Sequence, residues 1–362
     1  MKIGIFTDLR FTELTTPTGV TKHVVQMVKG LFDNPNIELI MLCTKDQVDD
    51  NGKIPSNNEL SYLEPRILPY SWKYLYWKSL FLNITFFDSY TEDLDWVYCP
   101  KNDLLPLRKT KYAVTFHGAH ELDQSYPNPT GIMHCLNKLR SRTHYKKMLK
   151  QATKILTVSE FLKQKTIEWF SAESDKIVIV GNGVENEFYN LKDDYDSKGH
   201  LIAVGGLNLL DGGDHIIKIA HRLKELGDDR EIFIAGNQHE PDLLEKSKAL
   251  VNIKLLGYLH KNELAKKMSN ASLLLFLTRY ETFGIAAAEA MAVGIPVITT
   301  KSTAVPEIVK KAGIYVDIES LKDLSVEFLN RSDYENNISM GKKIAANYKW
   351  SSCVDRLVKE LN

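Results

Sequence analysis

The sequence lacks the features typical of secreted, zinc-binding or nucleic-acid-binding proteins. Its four cysteines are scattered through 362 residues, which suits neither a disulfide framework nor a zinc site. Acidic and basic residues both number 46, so the molecule has no overall bias toward nucleic acid. No apolar run approaches the roughly 20 residues that a membrane span needs. A strand pattern beginning at Lys2 leaves no room for a signal peptide, so we expect a cytoplasmic protein.

Short apolar runs alternate with helical patterns along most of the chain. The predicted strands are Lys2–Asp8, Ile37–Thr44, Asp95–Cys99, Tyr112–Phe116, Lys154–Val158, Lys176–Val180, Leu201–Val204, Glu231–Ala235, Ile253–Leu256, Leu273–Leu277, Pro296–Thr299 and Gly313–Val316. Near-continuous apolar strands separated by helices indicate parallel sheets covered on both faces. A polar stretch at 186–199 interrupts the alternation. We therefore predict an α/β protein with two doubly wound, Rossmann-like domains, 1–185 and 200–345, facing a central cleft.

Two glutamates frame the most informative stretch of the sequence. Glu281 follows the predicted strand Leu273–Leu277, and Glu289 lies within a helix that Gly284 opens and Gly294 ends. The first amides of such a helix are free donors, and its positive end suits an anionic group. A carboxylate can accept hydrogen bonds from both hydroxyls of a sugar diol. The stretch therefore predicts a site for a phosphorylated sugar.

This stretch closely resembles the paired-glutamate motif of the family 4 retaining glycosyltransferases, which have the two-domain GT-B fold. Glu281 and Glu289 have the spacing of that motif, and an Ala-Met-Ala run follows the second glutamate. The resemblance implies that Glu289 holds the ribose of a nucleotide and that Glu281 acts at the donor sugar. It also implies that the amides of Phe283, Gly284 and Ile285 meet the diphosphate or the sugar.

The first half of the chain resembles the same family at two further places. Gly19, Val20 and Lys22 match its acceptor-side glycine loop, although Thr18 stands where the family usually has a first glycine. His117, at the end of the strand Tyr112–Phe116, matches the histidine that touches the donor sugar at the reaction centre. Residues 346–362 resemble the final helix that packs back on the first domain.

The donor side departs from the family at its phosphate-binding loop. Asn182 and Glu307 match family segments beside the donor, and Gly205 and Gly206 belong to the loop after the first strand of the second domain. The family usually carries an arginine and a lysine there, which clamp the diphosphate. In this chain Gly206 and Asp211 occupy the two positions, so both cations are missing.

Three explanations for the missing cations remain open. Hydrogen bonds to charged groups contribute roughly 1.5–3 kcal/mol each, whereas a helix dipole contributes only about 0.3–1 kcal/mol at an exposed site. Another cation could supply the charge, with Arg10, Lys22 and Lys301 as candidates. Alternatively, the donor could be unusual, or the protein could have lost catalysis. The two intact glutamates favour the first explanation.

The resemblance implies a retaining transfer of a hexose-type sugar from a nucleoside diphosphate, UDP or GDP first, to a glycan or lipid-linked acceptor. It implies no metal and no other cofactor. The alternative is a catalytically silent, glycan-binding subunit of a transferase complex. A nicotinamide-dependent oxidoreductase is disfavoured, because no Gly-x-Gly-x-x-Gly follows a first strand. An epimerase or phosphorylase on the same fold also stays open.

Two stretches of the first domain suggest peripheral contact with a membrane. Residues 138–154 contain seven basic and no acidic residues, and residues 71–90 are rich in aromatic side chains. The aromatic residues are Trp72, Tyr74, Tyr76, Trp77, Phe81, Phe86 and Phe87. Basic helices beside aromatic residues can dock on anionic lipid. A solvated helix and a core helix are the alternatives.

Overall fold

The computed structural model describes residues 1–9, 18–75, 87–123, 131–189, 191, 195–237, 239–317 and 334–362. Their contacts divide into two compact units. The first contains the described residues of Met1–Asp123, Asn128–Gly183 and Trp350–Asn362, and the second contains those of Val184–Lys349. None of the described helices is long and apolar enough to cross a lipid bilayer.

The first unit is built on a parallel sheet of seven described strands. They are β1 (Lys2–Ile5), β2 (Glu38–Thr44), β3 (Pro65–Leu68), β4 (Trp96–Cys99), β5 (Lys111–Phe116), β6 (Lys154–Thr157) and β7 (Ile177–Ile179). Their order across the sheet is β3-β2-β1-β4-β5-β6-β7. Ile3 on β1 pairs with Leu39 on one side and Trp96 on the other. The strand order therefore reverses between β1 and β4, which is where ligands bind in sheets of this type.

The second unit is built on a parallel sheet of six described strands. They are β8 (His200–Val204), β9 (Ile232–Ala235), β10 (Ile253–Gly257), β11 (Ala271–Phe276), β12 (Val297–Thr299) and β13 (Gly313–Tyr315). Their order is β10-β9-β8-β11-β12-β13. All six residues of β11 are buried, as expected for a central strand with both faces covered.

Helices connect most of the strands in both units. The described α-helices are α1 (Gly19–Phe32), α2 (Ile132–Gln151), α3 (Glu160–Phe170), α4 (Gly213–Glu225), α5 (Pro241–Ser247), α6 (Lys261–Ser269), α7 (Ile285–Val293), α8 (Val305–Val309), α9 (Tyr334–Ala345) and α10 (Trp350–Leu361). The apolar side of α1 is fully buried at Val24, Met27 and Leu31. These positions recur at helical spacing, so they place one stripe of the helix in the core.

The C-terminal helix α10 packs within the first unit. The indole Nε1 of Trp96 donates to the carbonyl of Leu361 at 2.7 Å, and the Nζ of Lys154 lies 2.7 Å from Glu360. Gly183 approaches this helix so closely that an added Cβ would lie 2.4 Å from the backbone nitrogen of Trp350. Any larger side chain at position 183 would therefore displace the start of α10.

Every predicted strand is present, with ends shifted by at most three residues. The strand β3 was not predicted, because it is a short edge strand whose proline and arginine hide its apolar alternation. The stretch 186–199 also contains unexpected structure. Asn186–Phe188 forms a 3₁₀ turn, and Phe188 is fully buried.

Candidate functional site

Helix α7 carries the second glutamate of the predicted pair. The helix begins at Ile285, and its N-cap Gly284 has φ of +94°, a conformation that glycine adopts without strain. An added Cβ at Gly284 would lie 3.2 Å from the ring of Phe276. Glu289 is 1% exposed, so this carboxyl is held by a rigid, buried helix.

Glu281 lies in the loop before α7, in an environment that opposes its ionisation. Burial and then the nearby carboxyl of Asp211 raise the pKa of its carboxyl, the amides of Thr282, Phe283 and Gly284 lower it, and together they bring the pKa to about 7. The amide of Thr282 donates to Oε1 of Glu281 at 3.1 Å. The carboxyl therefore lies at the N-terminal end of α7 and titrates near neutral pH.

A strained threonine fixes the backbone of Glu281. Thr303 has φ of +46°, the left-handed region that favours glycine. Here the hydroxyl of Thr303 accepts a 2.8 Å hydrogen bond from the amide of Glu281. Glu307 follows in the first turn of α8 and is half-buried.

The loop after β8 has a backbone that excludes the missing arginine. Gly205 and Gly206 have φ of +127° and +122°, so any other residue at 206 would be strained. The side chains of Asn208 and Asp211 close the loop, because Nδ2 of Asn208 donates to Oδ2 of Asp211 at 2.7 Å and the amide of Asp211 donates back to Oδ1 of Asn208 at 2.9 Å. The carboxyl of Asp211 lies against Gly205, only 2.4 Å from where a Cβ would stand.

Arg279, two residues before Glu281, lies against the loop after β8, where its guanidinium donates to the carbonyl of Leu209, but it is already paired. The guanidinium of Arg279 binds both oxygens of Asp214 at 2.8 Å and contacts Nε2 of His215 at 2.7 Å. Of the three candidate cations, Lys301 is exposed with its Nζ 5.9 Å from the centre of the Tyr315 ring. Lys22 belongs to the first unit and is half-buried, and Arg10 lies outside the described residues.

The remaining donor-side residues of the second unit lie around the start of α7. Phe283 is buried with its ring 5.5 Å from that of Tyr348, in an edge-to-face contact. Ile285 is half-buried at the first position of the helix. Across the described residues, no three histidine, cysteine, aspartate or glutamate side chains converge as ligands of a metal ion.

His117 follows β5 in the first unit and is held as a neutral imidazole. Its Nε2 lies 2.9 Å from the carbonyl of Pro100. A carbonyl only accepts, so Nε2 carries the hydrogen and Nδ1 is left as an acceptor. Burial lowers the pKa of His117, the contact with the Pro100 carbonyl opposes this, the ammonium of Lys101 lowers the pKa as well, and together they bring it to about 4. The amide of His117 donates to Asn102 at 2.8 Å. His117 can thus accept a hydrogen bond from a hydroxyl.

A second histidine packs against His117. His23 on α1 is fully buried, and its ring centre lies 4.6 Å from that of His117, edge-on at 81°. Its Nδ1 lies 2.7 Å from Oδ1 of Asn182. The side-chain oxygen of Asn182, predicted to face the donor, is therefore occupied within the first unit. Burial lowers the pKa of His23 well below its ordinary value, and His117 adds to the effect.

The acceptor-side loop begins helix α1. Thr18 takes the place of the family's first glycine by acting as the N-cap, and its side chain and that of Thr21 form reciprocal hydrogen bonds with each other's backbone. Gly19 is exposed as the first helical residue, and Val20 and Lys22 are half-buried.

A cavity of about 390 Å³ lies in the first unit beside His117. It is lined by residues that follow three neighbouring strands, with Asp8 after β1, Asp103 after β4 and His117 after β5, and by Val20. Trp72 also lines this cavity. Neither Asp8 nor Asp103 was among the site residues predicted from the sequence. Their position at or soon after the carboxyl ends of the predicted strands Lys2–Asp8 and Asp95–Cys99 was the signal that could have revealed them.

Two family models match the chain, one for each unit. The model for glycosyltransferase family 4 matches residues 17–188, and the model for glycosyl transferases group 1 matches residues 194–342. Between them they span most of both units. The chain therefore belongs to the family 4-like glycosyltransferases.

Individual relatives are distant but consistent with this assignment. The chain is 27% identical over 232 residues to an uncharacterized glycosyltransferase of Methanocaldococcus jannaschii, covering 60% of this chain but only 62% of that protein, which is less than two thirds of its length. It is 23% identical over 350 residues to the O-antigen chain mannosyltransferase RfbU of Salmonella typhimurium, covering 92% and 93% of the two chains. The structure of Anabaena HepE in complex with UDP-glucose has the same fold, with a TM-score of 0.66, 14% identity and coverage of 100% and 99%.

Proposed function

We propose that the protein transfers a hexose-type sugar from a nucleoside diphosphate to a glycan or lipid-linked acceptor, with retention of configuration. The observation that carries this proposal is the placement of Glu281 just before helix α7 and of Glu289 within it. The carboxyl of Glu281 lies beside the amides at the N-terminal end of this helix. RfbU is named for mannose transfer, and HepE binds UDP-glucose. RfbU supports a hexose donor and HepE supports a UDP-sugar, and GDP-sugars are the next donors to test because the family resemblance implies them.

Each named residue then has one task in the donor complex. Glu289 accepts hydrogen bonds from the hydroxyls of the ribose, and the amides at the start of α7 donate to the diphosphate. Glu281 contacts the donor sugar. The Nδ1 of His117 accepts a hydrogen bond from a hydroxyl of that sugar, because its Nε2 is engaged by Pro100.

The proposed reaction forms no covalent bond to the protein. The bond between the anomeric carbon and the diphosphate oxygen breaks while the acceptor oxygen bonds to the same face of the sugar. The departing phosphate oxygen takes the proton of the acceptor hydroxyl. Catalysis then consists mainly of positioning and of stabilising the leaving charge. That the reaction needs no metal ion is part of this proposal, taken from the family resemblance.

A thermal-shift screen with UDP-, GDP-, ADP-, dTDP- and CMP-sugars tests the donor. A ligand at 100 times its dissociation constant adds about 2.7 kcal/mol of stability, or about 5–10 °C in melting temperature for a unit of this size. We expect one nucleotide-sugar to give such a shift and Glu289→Gln to lose it. The isosteric amide keeps the packing of the buried side chain but accepts fewer hydrogen bonds.

Glu225→Gln is the matched control, because this glutamate is exposed on α4 of the same unit. It should keep the full shift. If no donor stabilises the wild type, the silent, glycan-binding subunit becomes the better description of the protein.

We further propose that helix α2 contacts a membrane surface. One face of α2 is exposed, and it changes from apolar to basic along the helix. Ile132, Leu136 and Leu139 are each more than half exposed, and Lys146 and Lys150 continue the same face at helical spacing. The helix contains no aspartate or glutamate. Such a face suits an anionic lipid surface, with the apolar end inserted and the lysines at the headgroups.

The aromatic stretch at 71–90 contributes less than its composition predicts. Trp72 lines the cavity and Phe87 is buried, which leaves Tyr74 as an exposed member. Tyr76, Trp77, Phe81 and Phe86 lie outside the described residues.

Reversing two charges on α2 tests the membrane contact. Lys146→Glu with Lys150→Glu should weaken binding to phosphatidylserine vesicles at least about thirtyfold, since each lysine near the surface contributes about 1 kcal/mol. The measurement is vesicle co-sedimentation. Lys224→Glu with Lys246→Glu makes the same charge change on exposed helices of the second unit and should bind as wild type does. Equal binding of both double variants would contradict the proposal.

A further inference from the structure

The loop after β12, residues 300–304, holds the loop that carries Glu281. Thr303 in this loop is half-buried and has φ of +46°. A left-handed backbone is rare for a β-branched residue and persists only where the surrounding structure enforces it. We infer that Thr303 is a positioning residue whose hydroxyl fixes Glu281 for contact with the donor sugar. The inference rests on the proposed function, in which Glu281 contacts that sugar.

The residues on both sides of Thr303 hold it in this conformation. Before it, Oγ of Ser302 donates to the carbonyl of Thr278 at 2.7 Å. After it, Ala304 is fully buried, and its amide donates to the carbonyl of Glu281 at 3.3 Å. These bonds join the loop after β12 to the loop after β11 on either side of position 303. The backbone between them therefore has little freedom to relax.

The side chain of Thr303 adds a contact that a glycine could not make. Glycine would adopt the same backbone without strain, so the turn by itself does not require threonine. Oγ1 of Thr303 accepts a 2.8 Å hydrogen bond from the amide of Glu281. Together with the amide of Ala304, it holds both backbone polar groups of Glu281. The strained residue thus stands where its hydroxyl fixes the backbone of a site residue.

This hold extends from the backbone of Glu281 to its carboxyl. The amide of Thr282 donates to Oε1 of Glu281 at 3.1 Å. An added Cβ at Gly284 would lie 3.5 Å from Cγ of Glu281, which places the side chain against the start of α7. A shift of the Glu281 backbone would move the carboxyl away from these neighbours. A misplacement of about 1 Å can lower the rate of a reaction about a hundredfold.

Three substitutions at position 303 separate the hydroxyl from the backbone. Thr303→Ser keeps the hydroxyl, Thr303→Val keeps the shape without it, and Thr303→Gly has neither the hydroxyl nor the strain. Titration calorimetry with UDP-glucose, GDP-mannose, UDP and GDP measures their effects. In Thr303→Val and Thr303→Gly, we expect the affinity for the nucleotide-sugar that the wild type binds to fall about tenfold.

The nucleoside diphosphate distinguishes a positioning role from a general loss of structure. Its affinity should change less than about twofold in all three variants, because Glu281 is assigned to the sugar alone. Thr303→Ser should bind the nucleotide-sugar as the wild type does. If Thr303→Gly also binds it as tightly as the wild type, the position needs only a left-handed backbone and the inference is wrong.

A double-mutant cycle shows whether Thr303 acts through Glu281. In the Glu281→Ala background, Thr303→Val should weaken nucleotide-sugar binding less than about twofold. A full tenfold effect there would contradict the inference. Ser272→Ala is the matched control, because it removes a hydroxyl that donates to the carbonyl of His200 at 3.3 Å, at the start of β11 in the same unit. It should bind both ligands as the wild type does.

Carbon NMR of δ-¹³C-labelled glutamate follows the Glu281 carboxyl without any donor. Burial and the carboxyl of Asp211 raise its pKa, nearby amides lower it, and the balance is about 7. A carboxyl released from this place gains water, so its acid dissociation constant should rise at least about tenfold in Thr303→Val and Thr303→Gly. Thr303→Ser should keep the wild-type value, and Glu281→Gln assigns the resonance. An unchanged constant in Thr303→Val would overturn the inference.

The two measurements separate this inference from the proposed transfer. If a nucleotide-sugar binds and the variants change neither its affinity nor the titration of Glu281, the inference fails and the transfer stands. If no nucleotide-sugar binds the wild type, the transfer fails, and the titration alone decides whether Thr303 positions Glu281. Thermal unfolding of the free variants shows that they fold.

Discussion

Replacing Asp211 by lysine should tighten the binding of the donor nucleotide by about tenfold to a hundredfold. A hydrogen bond to a charged group contributes roughly 1.5–3 kcal/mol, and each 1.4 kcal/mol is a factor of ten in affinity. The substitution also removes the repulsion between Asp211 and Glu281. Isothermal titration with UDP and GDP, compared with the wild type, measures the effect.

Asp211→Asn distinguishes the two contributions to this gain. It has the shape of aspartate, so it preserves the packing against Gly205 while removing the charge. We expect a smaller gain than with lysine, and a fall in the pKa of Glu281. Asp242→Lys, an exposed position on α5, controls for the change in overall charge. If Asp211→Lys binds no more tightly than Asp242→Lys, the diphosphate does not approach this loop.

Restoring the arginine at position 206 is not an equivalent experiment. The φ of +122° at Gly206 is one that a side chain rarely adopts. A residue with a side chain at position 206 would therefore be strained, which alignment of the sequence on its strand did not reveal. Any cation that serves the diphosphate in this protein has to come from outside positions 206 and 211.

The sheets could be predicted from sequence because their signal is local. Buried parallel strands such as Ala271–Phe276 are continuous apolar runs between helices. The start and end of α7 could also be predicted from the sequence, because a glycine stands at each end. Gly284 and Gly294 both adopt the positive φ that glycine allows. The edge strand Pro65–Leu68 was not predicted, because only its last residue is buried. It therefore carries little of the pattern that marks a central strand.

The candidate site was less predictable, because its electrostatics depend on contacts between distant residues. The sequence indicated Glu281, and it indicated that Asp211 replaces a lysine. It did not indicate that these two carboxyls lie close enough to raise the pKa of Glu281. Nor did it show that Arg279 is held by Asp214. Such pairings depend on side-chain geometry that spacing along the chain does not encode. The roles assigned to these residues stay predictions.

Acidification should destabilise the first unit and stabilise the second. In the first unit, His117 has its pKa lowered from 6.5 to about 4 by burial, and the pKa values of His23 and His144 are lowered as well. The unfolded chain binds these protons more readily, so the stability that His117 provides is complete above pH 6.5. It is lost as the pH falls toward 4, by at most about 3 kcal/mol.

The stability of the second unit changes in the opposite direction over the same pH range. Burial and Asp211 raise the pKa of Glu281 from 4.5 to about 7, and burial raises that of Asp211. The folded state therefore binds these protons more readily than the unfolded chain. The contribution of Glu281, again about 3 kcal/mol, is complete below pH 4.5 and is lost as the pH rises through 7.

Amide hydrogen exchange at about pH 7.5 and about pH 5, corrected for intrinsic rates, separates the two effects. Protection in β5 of the first unit should fall at the lower pH, and protection in α7 of the second unit should rise. Glu281→Gln should remove the rise in α7 without altering β5, and His117→Asn should reduce the fall in β5 without altering α7. Two outcomes would contradict this explanation: protection that changes in the same direction in both units, or variants that do not act on their own unit alone. In either case, the burial of His117 in the first unit and of Glu281 in the second would not be the cause of the pH dependence.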